Sequence, residues 1–317
     1  MSNIKSVGGQ AVIEGVMMRG SKGTATAIRI PNGSILVDFK DTLPLTKKYK
    51  VFGFPIIRGF ISLVDSMIIG VKTLNYSASF FEEEEDKGEP TGFDKWFSNT
   101  FKDKSTDVLM GISLLVSVVF SILLFFILPT FVANFFKKAI STNTVLLNII
   151  EGVIRVVIFI AYIFIIGKMK DIQRVFQYHG AEHKTIFCYE NNVELTPENA
   201  AKFGRLHPRC GTNFMFLVMI VSIILFSFTP WKSLLQRTLY RVILLPVISG
   251  ITYELIKWMG RSDSLLSRIL SYPGLMLQKI TTSEPDLSQL EVAIKSLKVA
   301  EGIDSPALLQ VPEVVTI

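Results

Sequence analysis

The chain has 317 residues, 49% of them hydrophobic and only 19% charged, with a mean hydropathy of +0.43 and a formal net charge of +6. That balance argues against a disordered protein and fits a soluble enzyme poorly. On so apolar a chain, 33 Lys+Arg against 27 Asp+Glu point to loops at an anionic membrane surface rather than to nucleic acid, and two cysteines cannot build a disulfide framework.

Residues 1–54 read as a small cytoplasmic β-unit. The opening MSNIKSVGGQ lacks the apolar run of a cleavable signal peptide. Positions 8–20, GGQAVIEGVMMRG, mix glycine turns with an apolar strand and carry Glu14 and Arg19. Thr24–Ile30 and Ser34–Phe39 are β-rich, and Pro31-Asn32-Gly33 between them signals a hairpin. Residues 55–81 are apolar, with Arg58, Asp65 and Lys72 spaced seven apart on one helical stripe. This predicts an amphipathic helix lying on or re-entering the membrane surface. The alternative is a further span, which would put the N-terminus outside. Residues 82–107 combine an acidic linker, EEEEDKGE, with Phe93, Trp96, Phe97 and Phe101 at the spacing of an interfacial helix.

Residues 108–167 form the first predicted transmembrane hairpin. Val108–Leu128 is uncharged over 21 residues, where about 20 cross a bilayer core, and Pro129 is expected to end it. Val145–Gly167 carries only Glu151 and Arg155, four apart and able to pair. Residues 213–259 form the second hairpin: Asn213–Thr229, uncharged and a little short, then Leu239–Met259, with Arg241, Pro246, Glu254 and Lys257. The expected fold class is therefore an α-helical integral membrane protein with about four transmembrane helices in two hairpins. The hairpin loops Pro129–Thr144 and Pro230–Thr238 hold two basic residues each, the connection 168–212 holds seven and residues 1–107 hold fourteen. By the positive-inside rule the N-terminus, the connection and the C-terminus are all cytoplasmic. In residues 260–317, Pro285 opens an amphipathic helix through Leu287, Leu290, Val292, Ile294 and Leu297. Beyond Glu301 the tail is expected to fray.

All three histidines fall in the 168–212 connection. His179-Gly180-Ala181-Glu182-His183 fits H-x-x-E-H, which on a helix puts both imidazoles on one face, one turn apart, with Glu182 bordering it. His207-Pro208-Arg209-Cys210 is an H-x-x-C clip in which a thiolate would suit zinc. The predicted site has His179, His183, His207 and Cys210 as ligands of a divalent metal, zinc by donor type, with Glu182 as general base. Three ligands with an open position would make it catalytic; four would make it structural. Otherwise the histidines are ordinary interfacial polar residues, and Glu182 is a surface carboxylate paired with Lys184 or Arg205. Glu14, Arg19, Arg209 and Glu254 are accessory candidates, Glu254 alternatively pairing with Lys257 or Arg261. Cys188, amid Ile186, Phe187 and Tyr189, reads as a buried small hydrophobe.

GGQAVIEGVMMRG at 8–20, YHGAEHKTIFCYE at 178–190, HPRCGTNF at 207–214 and PGLMLQKITTSEPDLSQLEVAI at 273–294 together closely resemble the bacterial YqhQ family. The resemblance implies a multi-pass protein of the bacterial inner membrane and a metal-dependent enzyme, with the histidine and cysteine positions of both motifs intact. The leading expectation is a hydrolase-like enzyme acting on a substrate at the cytoplasmic membrane face. One alternative is a membrane scaffold or regulatory protein that captures a protein partner and is stapled by a structural metal. The other is a small transporter using Glu151, Arg155 and Glu254.

Overall fold

The structure, a computed structural model, describes residues 7–41, 45–81, 105–140, 143–230, 233–262 and 264–305. The acidic run 82–89, the aromatic segment 93–101 and the tail after 305 lie outside the described residues. The chain divides into two compact units, residues 1–81, 162–221 and 243–317, and residues 82–161 and 222–242.

The first unit begins with four antiparallel strands in sequential order: β1 (Gly8–Val12), β2 (Gly15–Arg19), β3 (Thr24–Arg29) and β4 (Ile35–Lys40). The hairpin at Pro31-Asn32-Gly33 forms as its sequence predicts, with Gly33 at φ +86° and Ile30 donating to the Ser34 carbonyl at 3.0 Å. Strands β2 and β3 are buried along most of their length, because both faces of the sheet are covered. Helix α1 (Ile57–Ala78) meets β1, where Ser77 Oγ accepts from the Ile13 N–H, and Asp65 pairs with Arg19 at 2.9 Å.

Four later helices complete this unit: α5 (Lys170–Glu190), α6 (Pro197–Ala201), α9 (Leu265–Thr281) and α10 (Leu287–Ala300). Val16, Met18, Ala25, Ala27 and Val37 of the sheet share a core with Tyr178, Ala181, Ile186 and Cys188 of α5 and with Leu290, Val292, Ala293 and Leu297 of α10. Asp286 opens α10 through a capping box with Gln289. Of the apolar positions expected to form the buried stripe of this helix, Leu287 is exposed and the others are buried. Helix α9 has no counterpart in the sequence expectations; Pro273 and Gly274 inside it disguise a helix that the surrounding packing enforces.

Three helical stretches are long and apolar enough to cross a membrane: Gly111–Phe135, Thr144–Ile166 and Leu235–Met259. They belong to α2 (Ser105–Ile122) with its continuation α3 (Leu128–Ile140), to α4 (Thr144–Ile166) and to α8 (Leu234–Met259). Helix α7 (Gly211–Ser227) is equally apolar but has only 17 residues.

Two expected loops of the second unit are largely helix. Pro129 does not end the first apolar run, which continues through one π-helical turn, Leu123–Ile127, into α3. A proline is tolerated there because the wide turn passes the helical hydrogen bond to the Leu128 N–H, which reaches the Leu123 carbonyl. The Phe125 carbonyl, which Pro129 has no N–H to serve, instead accepts Arg155 Nε at 3.0 Å. The other expected loop, Pro230–Thr238, is helical from Leu234, which brings Arg237 and Arg241 onto Glu151.

Candidate metal centre

Helix α5 delivers two of the histidines. At 3.6 residues per turn, His179 and His183 fall on one face, and their ring centroids lie 4.5 Å apart. The third group comes from the turn after α6. There the Cys210 N–H reaches the His207 carbonyl at 3.3 Å, and Asn213 Nδ2 ties the Pro208 carbonyl at 2.9 Å. This turn sets Cys210 at the N-terminus of α7, where the Thr212 N–H approaches its Sγ at 3.4 Å. A helix N-terminus complements negative charge.

His179 Nε2 lies 3.2 Å from Cys210 Sγ, and one ligand-capable atom from each of His179, His183 and Cys210 falls within 4.8 Å of the others. A tetrahedral zinc ion holds such atoms about 3.4–3.6 Å apart, so a small inward movement completes the set. Both imidazoles are oriented by main-chain carbonyls: His179 Nδ1 meets the Thr281 carbonyl at 2.9 Å, and His183 Nδ1 meets the Arg205 carbonyl at 2.5 Å. A carbonyl can only accept, so each Nδ1 carries a hydrogen, which leaves Nε2 as the metal-binding atom of a neutral ring. His183 Nε2 is buried and makes no hydrogen bond among the described residues. Burial also holds the His183 imidazole below its ordinary range, in the neutral form that binds metal.

Gly180 makes this approach possible. A Cβ on it would meet the Ser283 carbonyl at 2.1 Å, so only glycine lets the segment after α9 lie against α5 and offer Thr281 to His179.

His207 stands beside this trio rather than within it. Its ring is 5.5 Å from that of His183 and 4.6 Å from that of Phe187, and its Nε2 lies 3.7 Å from Glu190. The buried Gln278 fixes its main chain, accepting from the His207 N–H at 2.7 Å and donating to its carbonyl at 2.8 Å. Burial pushes the Glu190 carboxyl up, but His207 and Arg209 outweigh it and hold this group below the ordinary carboxylate range.

Glu182 is buried, not the surface partner of Lys184 or Arg205; those two meet Glu284 instead. Its carboxylate lies against Gly9 of β1, outside the trio of ligand-capable atoms. Burial pushes this carboxyl up to about 7 against the opposing effects of His179 and the Gly9 main chain. The accessory candidates occupy separate ion pairs. Glu14, in the positive-φ turn between β1 and β2, pairs with Arg174 and accepts Tyr178 Oη at 3.2 Å. Arg19 pairs with Asp65 and Arg209 with Glu190. Glu254 pairs with Arg58, not with Lys257 or Arg261.

The supports that sequence reasoning missed are Thr281, Arg205, Gln278 and Glu190. The first two act through main-chain carbonyls, which leave no mark in a sequence. Gln278 lies on the helix that Pro273 disguised.

The family described as "Protein of unknown function (DUF1385)" matches residues 54–302. The "Uncharacterized protein YqhQ" of Bacillus subtilis (strain 168) is 36% identical over 302 residues, covering 91% of this chain and 90% of its own length. No solved structure matches the chain.

Proposed function

The chain belongs to the DUF1385 family, and we propose that it is a multi-pass membrane protein with a hydrolase-like, metal-dependent active site at its cytoplasmic face. The observation that carries this reading is the trio His179, His183 and Cys210, with both Nδ1–H groups tied to main-chain carbonyls and the ligand-capable atoms turned toward one another. The donor set fits a zinc-type ion. Such an ion, when bound, supplies Lewis acidity for polarising a substrate oxygen and for acidifying water. Three protein ligands leave one position for substrate, the pattern of a catalytic site. The Thr281 and Arg205 carbonyls orient the imidazoles, and burial favours the neutral form of His183. Glu182, the buried carboxylate beside His179, is the general base of this reading.

The membrane part of the proposal rests on the three long apolar helices plus α7, read as four spans in two hairpins, with α7 short for a bilayer core of about 30 Å. The apolar window in Gly111–Phe135 has no buried residue, as a lipid-facing helix would. The basic residues of 1–107 and 168–212 orient both termini and the metal centre toward the cytoplasm of a bacterial inner membrane. The substrate is then reached at the cytoplasmic face of the bilayer.

His207 favours a second reading, a closed structural site in a scaffold protein. Its buried Nε2 makes no hydrogen bond among the described residues, and its ring neighbours that of His183. Cobalt(II)-substituted protein separates the two. Added azide or cyanide should change the visible spectrum of an open site and leave that of a closed four-ligand site unchanged. Elemental analysis should find metal in wild type and none in His179→Ala/His183→Ala; wild type purified without metal overturns both readings. Glu182→Gln should retain the metal and lose activity, and loss of the metal would make Glu182 a ligand instead.

A further inference from the structure

Helix α9 is built inside out. Its buried positions are Ser267, Ser271, Gly274, Leu277, Gln278 and Thr281, all small or polar except Leu277. Ser267 Oγ donates to the Met259 carbonyl at 3.1 Å and Ser271 Oγ to the Ser267 carbonyl at 2.8 Å, while Gln278 holds the His207 main chain. On the opposite face Leu265, Ile269 and Tyr272 recur at i, i+4 and i+7, with Leu266 beside them. These four side chains are 74%, 57%, 60% and 55% exposed.

A surface helix of a water-soluble protein has the reverse arrangement, with the apolar stripe against the core. Single apolar side chains on a surface need no explanation, but a contiguous stripe marks contact with another apolar medium. Its borders identify that medium. Residues 257–281 carry four basic side chains, Lys257, Arg261, Arg268 and Lys279, against one acidic side chain, Asp263. Arg261, Arg268 and Lys279 are exposed. At 3.6 residues per turn Arg268 and Lys279 follow one edge of the stripe. The helix begins shortly after α8, whose stretch Leu235–Met259 is long and apolar enough to cross a membrane. Trp258, in the last turn of α8, is exposed, as an aromatic side chain at the headgroup level would be. With 17 residues and Arg268 among them, α9 is itself too short and too charged for the crossing that takes about 20. A basic, amphipathic helix of this kind suits the plane of the interface. A stable contact between two protein copies takes about 20–30 residues a side, which a stripe of four does not supply.

We propose that α9 lies in the headgroup layer of an anionic bilayer, with Leu265, Leu266, Ile269 and Tyr272 among the acyl chains and Arg261, Arg268 and Lys279 against lipid phosphates. The proposal rests on the membrane reading above and not on the metal reading. The same helix ends at the candidate metal centre: the Thr281 carbonyl that meets His179 lies about 18 Å along α9 from Ile269, at 1.5 Å per residue. Lipid contact at one end and support of the site at the other thus share one helix.

The test places the photo-crosslinker p-benzoylphenylalanine at Ile269, at Tyr272 or, as a reference in α2, at the exposed Leu115. Full-length protein is irradiated in nanodiscs of equal parts phosphatidylcholine and phosphatidylglycerol with matched acyl chains, and adducts are identified by mass. Ile269 and Tyr272 should give lipid adducts, with phosphatidylglycerol exceeding phosphatidylcholine roughly twofold or more. Arg261→Gln/Arg268→Gln should bring that ratio toward one while lipid adducts persist. Lipid adducts at Leu115 with none at Ile269 or Tyr272 overturn this proposal alone, and their absence at Leu115 as well takes the membrane reading with it. Crosslinks from Ile269 and Tyr272 to a second copy or to another segment of the chain, in place of lipid, overturn the proposal. So does a phosphatidylglycerol preference that is absent or unmoved by the double variant.

Discussion

In the first unit two imidazoles and a cysteine sulfur lie together; in the second three guanidinium groups share one carboxylate. Both clusters draw two groups from one helical turn, His179 with His183 and Glu151 with Arg155. Their supports differ. Main-chain carbonyls orient the two histidines. A single carboxylate, Glu151, receives the three arginines. The same i, i+4 spacing thus serves two chemically different clusters, and the partner groups set the difference.

The largest expected effect breaks the first half of this comparison. Exchanging both α5 histidines for alanine should take metal from about one equivalent to none by elemental analysis, since one remaining thiol cannot hold zinc against a chelator. In the second unit, Glu151→Ala removes the carboxylate that three guanidinium groups share. It should cost about 3–5 kcal/mol, read from denaturant unfolding in lipid; an unchanged midpoint would mean that the cluster is not buried. Smaller is Gly180→Ala, whose Cβ meets the Ser283 carbonyl. Overpacking of this kind costs about 1–3 kcal/mol, and metal affinity should fall with it, because the Thr281 carbonyl is pushed off His179. Stability loss with unchanged metal affinity would sever that link.

The smallest effect is Asp286→Ala at the start of α10, at about 1 kcal/mol. Burial pushes the Asp286 carboxyl up, but hydrogen bonds from Ser288 and Gln289 hold it below its ordinary value. Its contribution is therefore complete above the unfolded-state pKa of about 3.9 and is lost as pH falls through the lower folded value. The difference between wild type and variant should close in acid below about pH 4 and stay constant at neutral pH.

How much of this was legible in the sequence follows from where the information resides. The hairpin at Gly33, the buried Cys188 and the Glu151–Arg155 pair are local patterns, and they form as read. The histidine motif was legible for the same reason, since four residues on a helix make one turn. Hydropathy placed the long apolar helices but misjudged their ends. Pro129 was read as a stop because a π-turn has no sequence signature, and Arg237 was read as a loop residue because its buried partner lies 86 positions away. The alternative of Glu182 as a surface carboxylate fails because Gly9 covers it, a contact that nothing near it in the chain reveals. The four accessory residues found ion partners at distances in sequence from 19 to 196 residues, which no local reading can reach.

The pairing of residues 8–40 with residues 287–300 has a consequence for how the chain is made. Helix α10 covers a sheet that leaves the ribosome some 250 residues earlier. At about 5–20 residues per second, the strands wait on the order of 10–50 s for their cover, while every long apolar helix is made in between. The Thr281 carbonyl that orients His179 arrives equally late. The candidate site is thus completed only once residue 281 is made, and a chain truncated before residue 281 would carry every candidate ligand and still lack the hydrogen bond that aims the first of them.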